Sequence, residues 1–308
     1  MLYCEEVLFK NELKKKNMTV KKNHKWLFYA LTTVVLWGIW GAFTEIPEKN
    51  GFPGTLIFAV WAVTMIFPAI FILKKVNWKV EHDKKSIFYG MLIGMLGAGG
   101  QLVLFTGAIQ NGPAYLIFPI ISLSPVITIL LSMVFLGESA SKRAWAGIIL
   151  ALISIPLLSY QDPSGDPIGY AWMWYALLIF VAWGAQAFFM KKANEIMKGE
   201  SIFAYMTLSA LLLIPVVLYM TDFSKEINMG LDGPYLTFAI QMLNSIGALT
   251  IVFAFRYGKA IIVSPLTNAL APVITIIISL IIYSVIPHPI IITGMILAVI
   301  SIILLANE

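Results

Sequence analysis

The sequence predicts an all-α membrane protein of ten transmembrane helices, built as two inverted-topology five-helix repeats with both termini in the cytoplasm. Three observations predict it. Of 308 residues 59% are hydrophobic and 12% charged, with a mean hydropathy of +0.86, whereas an ordinary soluble domain is about a quarter charged. The charges are bunched between long uncharged runs, and the text of the first half is written again in the second.

The uncharged runs cover 26–44, 50–73, 86–137, 144–161, 167–190, 201–221, 233–255 and 260–307. About 20 helical residues cross a bilayer core about 30 Å thick, so each run holds one span except 86–137 and 260–307, which each hold two. The turns within those two fall at Gln110-Asn111-Gly112-Pro113 and Pro287-His288-Pro289, where Asn-Gly and Pro punctuate the chain. None of the runs alternates polar with apolar residues, which excludes the strands of a membrane barrel.

Orientation follows from the cations. With the amino terminus inside, Lys and Arg fall at 10–25, 74–85, 142–143, 191–198 and 256–259 on one side. Of 21 such residues only Lys49 and Lys225 lie on the other, beside Asp162, Asp166, Asp222, Glu226 and Asp232. The asymmetry obeys the positive-inside rule and explains a pI near 9.1 without nucleic acid as a partner. Residues 1–25 are a basic cytoplasmic segment with no apolar core of their own, so no signal peptide is expected. Met18, which opens MTVKKNHKWLFYAL, is a second candidate start. Cys4 is the single cysteine, which excludes disulfides within the chain, and His24, His82 and His288 lie near span ends without metal-binding neighbours.

The repeat runs through 26–160 and 169–306. SPVITI at 124–129 returns as APVITI at 271–276, ALTTVVLWG at 30–38 aligns with ALLIFVAWG at 176–184, and AGIILALISIPLLS at 146–159 aligns with TGMILAVISIILLA at 293–306. Five helices per copy is an odd number, so the second copy enters the membrane from the opposite side. In such architectures a substrate site lies near the midplane between the halves, and one half rocks against the other.

These residues make the chain similar to the EamA-type transporters of the drug/metabolite transporter superfamily. The likeness rests on Trp37-Gly38 and Trp183-Gly184, on the small-residue turn before span 4 or 9, on the SPVIT and APVIT prolines, and on FLGESASKRAWAGIILALI. Tyr283 to Val285 replace Leu-Gly-Glu in the second copy, so Glu138 has no twin. The resemblance implies ten helices, secondary transport of small metabolites and no cofactor.

Candidate site residues come from polar stripes inside apolar spans. Span 1 places Thr33, Trp37, Gly41 and Thr44 on one face. Trp37 sits ~16 Å beyond Trp26, too deep for interfacial anchoring, as does its counterpart Trp183; each is either a packing residue or a stacking wall for substrate. Span 3 carries Gly90, Gly94 and Gly97, which permit close helix contact, and Gln101, whose amide must find partners or line water. Span 4 offers Ser122, Ser124 and Thr128 around Pro119 and Pro125; span 9 offers Ser264, Thr267, Asn268 and Thr275 around Pro265 and Pro272. Each proline frees a carbonyl, consistent with a kink or with a bent, partly polar helix along the path. Gln186 on span 6 and Gln241, Asn244 and Ser245 on span 8 complete the set. Glu45, ~28 Å along span 1, is expected to be a solvated loop charge, and Glu138 to brace a loop.

The leading function is a secondary transporter of a small organic metabolite, an amino acid or similar compound, working by alternating access in a cell membrane. A multidrug or quaternary-cation exporter and a non-transporting membrane scaffold are the alternatives. An enzyme would need an acid, base, nucleophile or metal site at the midplane, where no His, Asp, Glu, Lys or Cys occurs. No GxxxxGK[ST] loop is present to bind ATP.

Overall fold

The computed structural model describes residues 24–108, 120–158, 171–283 and 288–305, with positions 111, 117 and 160. Pro119, Cys4, Met18 and most of the expected turn at 110–113 lie outside the described residues. The helices are α1 Lys25–Phe43, α2 Gly54–Lys75, α3 Lys84–Val103, α4 Pro125–Leu136, α5 Lys142–Leu158, α6 Ala171–Ala193, α7 Gly199–Met220, α8 Leu236–Tyr257, α9 Ala260–Tyr283 and α10 Pro289–Leu305. Seven stretches, Lys25–Lys49, Gly54–Lys75, Lys84–Ala108, Ala171–Ala193, Gly199–Met220, Leu231–Tyr257 and Ala260–Ile278, are long and apolar enough to cross a membrane; Ile120–Leu136 and Pro289–Leu305 are apolar but shorter.

Local chemistry repeats with the text. α2 breaks at Met65 and α7 at Leu213, in each case just before a proline, Pro68 or Pro215, that cannot donate to the helix ladder. The two proline motifs behave differently. Pro125 occupies the first turn of α4 after a turn at Leu123 and Ser124, whereas α9 runs unbroken through Pro265 and Pro272. α4 ends at Gly137, whose φ of +63° is the left-handed conformation that glycine accepts most readily.

The halves exchange their first helices. α1 packs against α8 and α9 of the second repeat, and α6 packs against α3 and α4 of the first. α3 also meets α7, α4 meets α9, and α5 meets α10, so each main contact joins the two copies. Lipid is as apolar as leucine, so such contacts are held by close packing and interhelical hydrogen bonds rather than by removal of surface from water. The glycines of α3 serve that end. A Cβ on Gly90 would lie 2.3 Å from the ring of Tyr205, and one on Gly94 would lie 2.3 Å from the Ser209 hydroxyl, both on α7.

The bundle therefore has a lysine-rich end, where α1 begins and α2 ends, and an opposite end. At the opposite end the loop after α7 is tied to the loop before α2 and to the first turn of α2: Asn228 N donates to Gly51 O at 3.1 Å, and Thr221 Oγ1 donates to Thr55 Oγ1 at 2.8 Å.

Candidate functional site

Each Trp-Gly pair seats its helix on the other repeat by the same three contacts. Trp37 Nε1 donates to Asn244 O at 3.3 Å while the indole covers Gly247; Trp183 Nε1 donates to Gly97 O at 3.3 Å while its indole covers Gly100. A Cβ on Gly38 would meet Ile274 Cβ at 2.5 Å, and one on Gly184 would meet Ile127 Cβ at 2.5 Å. Thr275 Oγ1 donates to Gly38 O at 2.8 Å, and Thr128 Oγ1 donates to Gly184 O at 3.0 Å. The SPVIT and APVIT motifs thus lie beside the opposite repeat's Trp-Gly, and the threonine of each motif clips the glycine carbonyl.

Around these seats the polar residues form two groups. On α1 and α8, Trp40 Nε1 donates to Gln241 Oε1 at 3.1 Å, and Asn244 Nδ2 reaches the same oxygen at 3.3 Å. Gln241 is buried at 2% exposure and Asn244 at 8%. Two buried hydroxyl pairs at 2.8 Å, Thr33 with Thr250 and Thr64 with Ser245, fix α8 to α1 and α2. On the other side a chain of bonds crosses three helices: Asn268 Nδ2 donates to Ser264 O at 2.9 Å, Ser264 Oγ donates to Thr128 Oγ1 at 3.3 Å, and Thr128 donates onward to Gly184. Gln186 packs against Gly97, where an added Cβ would lie 2.1 Å from its Nε2.

Gln101, one turn beyond Gly97, is half-buried and its side chain makes no hydrogen bond among the described residues; Ser122 and Thr44 are half-buried in the same way. The structure thus joins Trp37 to Asn244, and Thr128, Ser264 and Asn268 to one another. It leaves Thr44 at the far end of α1 and Gln101 with an unused amide. Trp40 is the residue that sequence reasoning missed, although it occupies the position in α1 that Gln186 occupies in α6. Glu45 pairs with Lys49 at 2.8 Å, with both side chains more than two-thirds exposed. Glu138 accepts from Ala260 N and Ile261 N, each at 3.1 Å.

The sequence matches the EamA-like transporter family at 24–160 and again at 170–307. The chain belongs to the EamA-like transporter family. With its apolar helices, this makes it a multi-pass membrane transporter of the drug/metabolite type. An uncharacterized protein of Methanocaldococcus jannaschii is 32% identical over 137 residues, which are 44% of this chain and 97% of that protein, so the relative is scarcely longer than one five-helix copy. An uncharacterized transporter of Archaeoglobus fulgidus is 30% identical over 169 residues, 54% of this chain and 55% of that one. A probable amino-acid metabolite efflux pump of Salmonella typhimurium is 24% identical over 194 residues, 63% of this chain and 62% of the pump. One solved crystal structure shares the fold with a TM-score of 0.74 at 15% identity, covering 90% of this chain and 97% of its own.

Proposed function

We propose that this EamA-like protein spans a plasma or inner membrane ten times, with both termini in the cytoplasm, and exports a small organic metabolite by alternating access. The lysine-rich end is then the cytoplasmic one. The observation that carries the reading is the exchanged seating of α1 and α6. Each half is clasped by the first helix of the other through a tryptophan, a glycine and a threonine, which suits two bodies that rock against each other around a shared site.

The site we assign lies between the seats, lined by Trp37, Thr44, Gln101, Ser122, Trp183, Gln186, Asn244 and Asn268, with Thr128 and Ser264 behind it. Pro119, Pro125, Pro265 and Pro272 serve the gating helices. Its polar groups are neutral amides, hydroxyls and indoles, so the substrate is one whose own charges are balanced or shielded, and an amino acid or a close derivative fits. The printed name of the Salmonella typhimurium relative supports that class. The indoles favour a second substrate class, quaternary cations, which aromatic faces attract.

A mass-spectrometric comparison of metabolites inside and outside cells tests this directly. Cells carrying the wild type, an empty vector, Trp37→Ala or Asn268→Ala are compared at matched membrane levels. The wild type is expected to shift a zwitterionic compound outward and both variants to lose most of that shift; equal shifts in all three proteins would remove the site, and no shift would remove the function.

A further inference from the structure

We propose that Glu138 is a positioning residue of the transport cycle, a one-sided latch that holds the lysine-rich face closed by capping α9 from the other repeat. The proposal rests on the transporter reading and on the cytoplasmic assignment of that face. The first amides of a helix have no partner within it, and an anion there also meets the positive end of the helix dipole. Such caps are normally supplied by the residue just before the helix. Here Glu138 Oε1 takes the Ala260 amide and Oε2 the Ile261 amide, from 122 and 123 positions away in the sequence. The cap therefore exists only while the end of α4 and the start of α9 stay together.

One lysine crosses the same seam and a second braces it. Lys259 Nζ donates to Ser139 O at 2.9 Å, beside the latch, and Lys191 Nζ on α6 donates to Gly258 O at 2.8 Å within the second repeat. Gly258 is wedged so tightly that a Cβ would lie 2.7 Å from Val263 and 2.9 Å from Trp26. Behind the seam the first residues of α9, Ala260 to Val263, are exposed by no more than 1%. The position that the repeat would pair with Glu138 is Val285, whose side chain carries no acceptor. At the opposite end the described ties between the loops are neutral, Asn228 to Gly51 and Asn50 carbonyls and Thr221 to Thr55. Among the described residues, one face is thus held by a carboxylate on two amides and the other by uncharged bonds between loops, and charge-assisted bonds are the stronger kind. The resting protein is accordingly biased toward closure at the lysine-rich face.

Thiol labelling tests the latch without any substrate. In a Cys4→Ser background, Val263→Cys is probed with an impermeant maleimide from the lysine-rich side, using inverted vesicles, and Thr44→Cys is probed from the opposite side. With Glu138 present, Val263→Cys should be nearly unreactive. Glu138→Ala should raise its rate about tenfold or more, the shift that losing one bond to a charged group represents, and lower the rate at Thr44→Cys. Glu138→Gln keeps one acceptor and should fall between; it also decides the matter if the alanine variant does not accumulate. An unchanged rate at Val263→Cys overturns the latch, and so does a rise at both positions, which is general loosening. Reciprocal labelling with no metabolite export would retire the transport reading and leave the latch as a conformational bias, whereas export without reciprocal labelling would retire the latch alone.

Discussion

The seat of α1 on α8 and α9 and the seat of α6 on α3 and α4 share a backbone plan and differ in what surrounds it. Both use an indole on a carbonyl, a glycine against an isoleucine and a threonine on the glycine carbonyl. One turn along, the plan diverges. α1 presents Trp40 to a buried Gln241, while α6 presents Gln186 to bare Gly97. An aromatic facing an amide in one seat is replaced by an amide facing a glycine in the other. The lesson is that the symmetric part builds the bundle, because glycine and threonine set how closely two backbones approach. The asymmetric part is free to shape a site, since either arrangement fills the same gap.

The glycines give the largest expected effect. Alanine is ordinarily the better helix former by up to about 1 kcal/mol, but here its methyl would lie 2.5 Å from an isoleucine Cβ on either seat. Overpacking of that kind costs typically 1–3 kcal/mol, so it wins. Gly184→Ala should lower the thermal midpoint of purified protein more than Gly38→Ala, because its methyl also meets the Ser124 carbonyl at 2.6 Å, against 3.0 Å for Ala271 in the other seat. Equal falls would break the asymmetry; no fall would mean that the helices are not seated as described.

The threonine clips come next. Interhelical hydrogen bonds in membranes average about 0.6 kcal/mol, and valine keeps the shape while removing the hydroxyl. Thr275→Val should lose roughly that amount. Thr128→Val should lose more, because Thr128 also accepts from Ser264 at 3.3 Å, whereas the second bond of Thr275 stays within its own helix, to Ala271 O. Melting midpoints of the two variants and of the double variant, in one detergent, order the seats.

Much of this plan was legible in the sequence. The repeat at a spacing near 147 aligns Trp37 with Trp183 and SPVIT with APVIT, and the stripe of Gly90, Gly94 and Gly97 marks a close contact. What could not be read is the partner. Thr128 and Gln101 look alike in an apolar run, since a polar side chain there is satisfied equally by a neighbouring helix or by a cavity; the structure buries Thr128 fully and leaves Gln101 half-exposed. The exchange of α1 and α6 is invisible for the same reason, as periodicity tells which face is packed and not against which copy. Glu138 could be recognised as a loop brace from its position beside Lys142 and Arg143, but its cap on α9 joins residues with no periodic relation.

The smallest effect concerns how the two platforms begin. α3 starts at Asp83, whose carboxylate accepts from Lys85 N and Ser86 N, each at 3.1 Å, and from the Ser86 hydroxyl at 2.6 Å. α8 starts with no side-chain cap, and the loop ahead of it is turned by an amide: Asn228 Oδ1 accepts from Gly230 N at 2.8 Å. Only at the first entry is the group that caps the helix amides a carboxylate. The Ser86 hydroxyl, and then its amide, hold the Asp83 carboxyl below its ordinary value. A group whose value is depressed by folding stabilises the protein above its unfolded value, about 3.9, and loses that contribution as pH falls through the lower folded one. Asp222 behaves in the same sense through Ser224 at the opposite end. Both groups are fully exposed, so solvent screens them and the loss is slight. Melting midpoints followed downward from neutral pH should therefore stay level to about pH 4 and then fall more steeply for the wild type than for Asp83→Asn, with a further small reduction of the slope on adding Asp222→Asn. If Asp83→Asn leaves the acid slope unchanged, the two platforms begin alike and the difference between the seats lies wholly in the residues at Trp40 and Gln186.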